Sequence, residues 1–308
     1  MTYQPELLAT AASLEELERL ASAGADAFVA GDARFGVRLA GHFDADGMKA
    51  AVSLAHAQGK KLYAAANNLI HNDSLEALQR HLAFLSEIGV DAIVFGDPAV
   101  LMAARRHAPD VTLHWNAEMT STNYATAEYW RRRGASRFVL ARELNMEQIE
   151  EIRAATDMEL QVQVHGMTNI YHSKRKLVGS YLDHLHGDGN SEATRGGMHL
   201  TEQERPGERY PIFEDASGTH IMSSDDICML ENLHELLGIG VNSLKIEGML
   251  KPIEYNEIVV RAYRQAIDAY MANPEGYVFR EEWLEPIREA QDPDRELSYG
   301  FFYKEQVY

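Results

Sequence analysis

Residues 61–95 read KLYAAANNLIHNDSLEALQRHLAFLSEIGVDAIVF. Lys61–Ala66 is a short apolar run that ends on two asparagines. Leu75, Leu78, Leu82 and Leu85 then fall on one helical face, and Ala92-Ile93-Val94-Phe95 is a second apolar run. A strand, an amphipathic helix and a strand at this spacing make a crossover unit, and such a unit lays its two strands parallel. Asp73 with Glu76 has the capping-box spacing and predicts the start of the helix.

The unit repeats in both directions. Six further runs read as strands: Glu6–Thr10, Asp26–Ala30, Val111–Trp115, Phe138–Ala141, Leu160–Val164 and Ser243–Ile246, making eight. Between them lie helix starts such as Ser13 with Glu16, and Asp97 ahead of Pro98. A late helix, from about Glu254 to Tyr270, lines up Ile258, Ala262, Ala266 and Tyr270 for packing. Eight strands joined by crossover helices predict an α/β fold, a single (β/α)8 barrel. An open doubly wound sheet is the alternative, but no G-x-G-x-x-G follows the first strand, so a dinucleotide site has no support.

The rhythm breaks twice. Residues 166–224, polar and rich in Gly and His, read as a long irregular insertion after the seventh strand, on the face where barrel active sites are built. Residues 273–308, interrupted by Pro274, Pro286 and Pro293, read as a short C-terminal extension to a barrel of residues 1–272.

The 308 residues carry 47 Asp and Glu against 29 Lys and Arg, a formal charge of −18, with 45% hydrophobic residues. That composition excludes disorder and predicts no autonomous, high-affinity nucleic-acid binder, because the chain as a whole repels phosphate. The N-terminal stretch has no leader pattern and no segment is long and apolar enough to span a bilayer, so an unexported, cytoplasmic protein with no membrane contact is expected. Cys228 is the only cysteine. It reads as a small buried residue in a helical stretch, and the chain cannot complete a cysteine-ligated zinc or iron–sulfur site by itself.

In a barrel, chemistry sits just past the strand ends. Those positions are polar here: Asn67 and Asn68, Asp97, Asn116 and Glu118, Arg142 and Glu143, His165, and Lys245 with Glu247. Asp97 is explained as a helix cap. His165-Gly166 stands out, an imidazole at the end of a Val-rich strand, able to act as acid, base or donor, or simply to bond loop backbone. Five of the thirteen histidines fall between His165 and His199, yet their spacing matches no zinc motif, and no metal site is expected. Lys174-Arg175-Lys176 and Arg195 are cations suited to a small dicarboxylate or a nucleic-acid backbone, or to plain solvation. Arg131-Arg132-Arg133 suits the negative end of a helix. Lys245 and Glu247 alternate with Ile246, so both point the same way, into the barrel or toward its mouth, and if buried they must pair or lose their charge.

Several stretches resemble, in order, one known family: Gly24-Ala25-Asp26-Ala27, Arg34-Phe35-Gly36-Val37-Arg38, His71-Asn72-Asp73, Val139–Leu144, Val164-His165-Gly166-Met167, Asp226-Ile227-Cys228 and Ser243–Gly248. The family is peptidase family U-32, the collagenase-like proteins, and the likeness spans residues 6 to 272, with Arg295 to Phe302 similar to the family's tail. It implies a TIM-type barrel. Members carry a protease label, and several are implicated in oxygen-independent hydroxylation of tRNA wobble uridine or of ubiquinone precursors, using an iron–sulfur cluster held by four cysteines. Asn169, Lys176, Met198 and Glu202 stand at those cysteine positions, and Met249 replaces the usual Arg after Lys-Ile-Glu-Gly. The chain is similar to the short, cysteine-poor paralogue of a tRNA hydroxylation pair, for which prephenate is the implicated hydroxyl donor.

The resemblance therefore implies no cofactor in this chain, a cluster-bearing paralogue as partner in a hetero-oligomer, tRNA reached through that complex, and a small anionic substrate. His165, Glu118, Glu143 and Glu247 are the expected catalytic groups, with Arg142, Arg195, Lys245, Asn67 and Asn116 binding substrate. A collagenase-like hydrolase using His165, and a non-catalytic adaptor, are the alternatives.

Overall fold

The computed structural model describes residues 3–116, 121–186 and 197–305. Chain order begins β1 (Glu6–Thr10), α1 (Leu14–Ala23), β2 (Ala27–Ala30), α2 (Ala45–Ala57), β3 (Lys61–Ala66), α3 (Leu75–Ile88), β4 (Ala92–Phe95) and α4 (Pro98–His107). It continues β5 (Thr112–Trp115), α5 (Tyr124–Arg131), β6 (Ala135–Val139), α6 (Met146–Ala155) and β7 (Glu159–Gly166). The second half holds β8 (Asn169–Ser173), α7 (Leu177–His186), β9 (His199–Thr201), β10 (Arg209–Asp215), β11 (Gly218–Met222) and β12 (Asp226–Cys228). It ends with α8 (Leu233–Ile239), β13 (Ser243–Ile246), α9 (Ile253–Ala272), α10 (Glu285–Ala290) and β14 (Leu297–Ser298).

Strands β1 to β7 pair in sequence order, all parallel, and β13 closes the ring by pairing with both β7 and β1. This is the (β/α)8 barrel of TIM type. Period-2 alternation divides its residues between two layers. Leu8, Ala27, Tyr63, Ala92 and Val94 fill the barrel interior. Leu7, Phe28, Leu62, Ile93, Phe95, Phe138, Leu160, Val162 and Leu244 face the surrounding helices. The interior's lower end is polar: Arg137 pairs with Glu6 at 2.6 Å, while Tyr63 and Ser243 donate to the same carboxylate at 2.5 and 2.8 Å. Burial alone would raise the Glu6 carboxyl, but Arg137 holds it below its ordinary value.

Helix starts follow the sequence signals in part. Ser13 Oγ accepts from the Glu16 amide, and Asp97 Oδ1 accepts from the Ala99 amide behind Pro98. The Asp73–Glu76 box does not form: residues Asn72–Ser74 make a 3-10 turn, Asp73 accepts from the Ser74 hydroxyl, and α3 begins at Leu75 without a side-chain cap. The buried stripe of α9 runs through Tyr255, Val259, Tyr263, Ala266 and Ile267, with Ile258 and Tyr270 only half-buried at its edges. Arg131 and Arg132 both pair with Glu128 at the end of α5.

Three stretches differ from the expectation. The strand expected at Phe138–Ala141 starts three residues earlier, because Arg137 turns into the barrel to meet Glu6 and so interrupts the apolar run. Cys228 lies on strand β12, antiparallel to the end of β7, and not in a helix; it is buried. The insertion is not irregular: β8, β11, β10 and β9 form a four-stranded antiparallel sheet. Its core is Met167, Phe213, Met222 and Met249, and His220 stacks between Phe213 and His172. Histidine rings do the packing that aliphatic side chains do elsewhere, which made these strands read as polar loop.

The C-terminal residues pack on the barrel. Trp283, Leu284, Ile287 and Phe302 join its main core, and β14 pairs in parallel with β12. Asp226, fully buried on β12, accepts from Lys251 at 2.5 Å, from Arg295 at 2.8 Å and from Gln291 at 2.6 Å. These bonds tie the return strand of the insertion to both the barrel and the tail.

Candidate functional site

The C-terminal ends of the strands surround a cavity at the barrel mouth. Side chains that alternate inward supply its wall: Thr10, Val29, Ala65, Val94, Gln161, Gln163 and Lys245 from the strands, then Asn67, Asn116, Arg142 and Glu247 just past them. The turn after β2 adds Arg38, held at φ 53, and the insertion adds Met167 and Met222. The free volume of this cavity is about 60 Å3.

Lys245 and Glu247 form the central pair. Lys245 Nζ donates to Glu247 Oε2 at 2.8 Å, and Thr10 Oγ1 donates to Oε1 at 3.0 Å. The Met249 amide also donates to Oε1, at 3.2 Å, and the Gly248 amide to Thr10 Oγ1, at 2.8 Å. With all these partners the Glu247 carboxylate is fixed, and it in turn fixes the ammonium group at the rim. Gly166, at φ 96, makes this possible: a Cβ there would lie 2.0 Å from the Glu247 carbonyl oxygen.

Among the described lining residues, Arg38, Arg142 and Lys245 outnumber the single carboxylate of Glu247. In a chain of charge −18 this grouping of cationic side chains is chemically suited to an anion. Neutral polar groups complete it. Asn67 Oδ1 accepts from the Val37 amide at 3.1 Å, whereas Asn116 Oδ1 is buried without a hydrogen-bond partner. Gln163 donates through Nε2 to the Met167 carbonyl at 2.9 Å. The arrangement can bind a carboxylate and offer an acceptor to a hydroxyl.

The structure brings together Lys245, Glu247, Arg142, Asn67 and Asn116. Glu143 is exposed and does not line the mouth. Glu118 and Arg195 lie outside the described residues. His165 is sealed in the layer between barrel and helices, 1% exposed, with Nε2 2.9 Å from the Tyr255 hydroxyl and its ring against Tyr263. Burial pushes its pKa down to about 3, so the imidazole is neutral at pH 7. The reason is a bulge: Lys245 pairs with Gln163 but Ile246 with His165, so the side chain that strict alternation aims inward turns to α9.

Sequence reasoning did not single out Gln161, Gln163 and Arg38. The two glutamines carried a signal, polar residues alternating within the Val-rich strand of residues 160–164. Arg38 stood in a family-like stretch but was not read as a site residue, since its left-handed backbone, at φ 53, is set by the turn.

An iron–sulfur cluster does not fit the residues present. At the positions named for its cysteines, Asn169 donates its amide to the Tyr171 and Ile221 carbonyls, and Glu202 lies 3.6 Å from Arg205. None of the four is a thiolate, and Cys228 is buried beside the Tyr263 hydroxyl. Among the described residues, no group of three or more His, Cys, Asp or Glu could hold a metal ion, and no helix is long and apolar enough to cross a membrane.

The family model for peptidase family U32 matches residues 12–307. The chain is 48% identical to tRNA hydroxylation protein P2 of Bacillus subtilis (strain 168), over 99% of each protein. It is 31% identical to tRNA hydroxylation protein P1 of the same organism, over 100% of this chain and 74% of that one. With tRNA hydroxylation protein P of Escherichia coli (strain K12) it shares 32% identity, over 86% of this chain and 68% of that protein. Of solved structures, the U32 peptidase Mk0906 superimposes with a TM-score of 0.52 at 17% identity, covering 80% of this chain and 94% of that one, a likeness of fold. The chain belongs to peptidase family U32.

Proposed function

We propose that this chain is a component of tRNA hydroxylation, acting in the oxygen-independent 5-hydroxylation of wobble uridine, with its barrel mouth holding the small anionic hydroxyl donor. The observation that carries the reading is the mouth itself: among its described residues stand Arg38, Arg142 and Lys245, the Glu247 carboxylate fixed by Lys245 and Thr10, and an Asn116 acceptor without a hydrogen-bond partner. A hydroxylated dicarboxylate such as prephenate has the matching groups. Its carboxylates are drawn to Arg38, Arg142 and Lys245, and its hydroxyl can donate to Asn116. The names of the relatives from Bacillus subtilis and Escherichia coli support the tRNA pathway.

The chain's share of the work is binding and orientation. Lys245, held by Glu247, and Glu247, held by Thr10, form a rigid rim against which an anion is positioned without reorganisation. Redox chemistry falls to a cluster-bearing paralogue, since this chain has one cysteine. The occurrence of two such proteins, P1 and P2, in one organism supports a pair, and an acidic surface suits docking on a more basic, tRNA-holding partner.

The test is nucleoside mass spectrometry of total tRNA from a strain lacking this gene, with the paralogue present and then also removed. Loss of 5-hydroxyuridine-derived nucleosides, restored by this chain, is the expected result. Unchanged modification in both strains would overturn the reading. A thermal shift with prephenate, lost on Lys245→Ala, separates a ligand-binding component from an adaptor.

A further inference from the structure

The insertion carries a surface that the mouth does not use. On α7, Leu177, Tyr181 and Leu185 recur every fourth residue and are 40%, 61% and 55% exposed. Ile170 and Tyr171, on the edge strand β8, are 54% and 48% exposed. Between the two elements stand Lys174, Arg175 and Lys176, all exposed. Two nearby carboxylates among the described residues have other partners. Glu214 accepts from the Val178 and Gly179 amides and from the Thr219 hydroxyl, and Asp215 lies 2.9 Å from His220 Nε2. Asp183, on α7 itself, is half-buried.

This surface adjoins the mouth. Lys174 Nζ is 2.7 Å from His71 Nε2 and 3.4 Å from the Leu69 carbonyl, and Asn68 Nδ2 donates to Ser217 Oγ at 3.3 Å. Lys174 thus fastens the β8–α7 corner, and Ser217 the turn between β10 and β11, to the loop after β3, which also supplies Asn67 to the mouth.

We propose that the β8–α7 corner, through Tyr171, Arg175, Lys176 and Tyr181, holds the single-stranded anticodon loop of tRNA beside the barrel mouth. The proposal rests on the function proposed above. Three consecutive cations on a chain of charge −18 attract phosphate locally. Exposed tyrosines next to those cations give unpaired bases a face to stack on, which a duplex stem, its bases already paired, does not use. RNA seated here has its neighbouring nucleotide over the mouth, where the donor is held.

The experiment uses the full chain with its paralogue and an anticodon stem-loop RNA carrying 4-thiouridine at a loop position next to the wobble uridine. Irradiation should crosslink peptides within residues 170–181. Arg175→Glu with Lys176→Glu should lower both crosslinking and restored tRNA modification at least tenfold. It should also flatten the slope of log affinity against log salt by about 0.7 per cation removed. Arg175→Lys with Lys176→Arg should behave as native, as should Arg106→Glu on α4. Tyr181→Ala should weaken crosslinking with the cations intact.

Crosslinks mapping elsewhere, or full restoration by the double glutamate variant, would overturn the surface while leaving the tRNA pathway standing. Loss of paralogue recovery in that variant with RNA crosslinking unchanged would also overturn it, making the corner a protein contact. If the native chain restores no modification, the pathway fails, and the position of the crosslinks still decides the surface.

Discussion

Lys245 and Glu247 project from the same side of β13 and its end and meet at 2.8 Å, with the Thr10 hydroxyl of the neighbouring strand on the other carboxylate oxygen. The side chain of Lys245 is 19% exposed and that of Glu247 is 7% exposed, so the pair has a wet end and a dry end. Removing the wet end strands the dry one. Lys245→Met should cost about 1–3 kcal/mol of stability, read as a lower urea midpoint, because it leaves a buried carboxylate without its cation. Adding Glu247→Gln should recover most of that loss while tRNA modification stays abolished. A double variant that restores modification would show that the pair only supports the fold.

Gly166→Ala puts a methyl group on the Glu247 carbonyl at a left-handed backbone position. It should destabilise by at least about 2 kcal/mol, seen as a fall in melting temperature. Ala substitution at Gly59, where φ is 67 and nothing lies within 4 Å, should cost less. Equal losses at the two sites would mean that backbone strain alone, and not the clash at the mouth, sets the effect.

Asp226 is the carboxylate on which barrel, insertion and tail converge. Burial by itself would raise its pKa, yet Arg295 and Lys251 bring it down to about 2. An unfolded aspartate titrates near 3.9, so its contribution is present above that value and is lost as pH falls from about 4 towards 2. Asp226→Ala should cost roughly 3–5 kcal/mol at pH 7, since Lys251 and Arg295 would be left buried without their anion. Denaturant melts at pH 7 measure it.

His165 gives the opposite kind of pH dependence from a structural paired base. Its folded pKa, about 3, lies below the unfolded value near 6.5, so between these limits only the unfolded chain takes up the proton. Stability should therefore decline as pH falls from about 6.5, and His81, lowered to about 4 by burial, adds to the same slope. His165→Phe should flatten the decline between pH 6.5 and 4 in thermal melts. An unchanged slope would place the titration elsewhere.

The barrel was legible because its outward layer is written in Leu, Ile, Val and Phe at period 2, and its helices in leucines at period 3.6. Lys245 and Glu247 were legible for the same reason: two charges alternating in a buried strand have one place to go. His165 was not, because one bulge between Gln163 and His165 reverses its face, and a bulge has no residue signature here. The insertion hid its sheet behind histidines whose stacking partners, Phe213 for His220, lie on another strand. Arg137 obscured the start of β6 because its partner, Glu6, is 131 residues away.

The ring closes between β1, the first strand of the ring, and β13, more than 230 residues later in the chain. During synthesis the backbone amides and carbonyls along one side of β1 therefore stay unpaired until β13 has left the ribosome. The growing chain passes through a stage of seven parallel strands with two open edges, the arrangement most ready to join a neighbour's strand. Expression yield, more than final stability, is thus where changes along Leu7 to Thr10 and Ser243 to Ile246 will register, as aggregation of nascent chains.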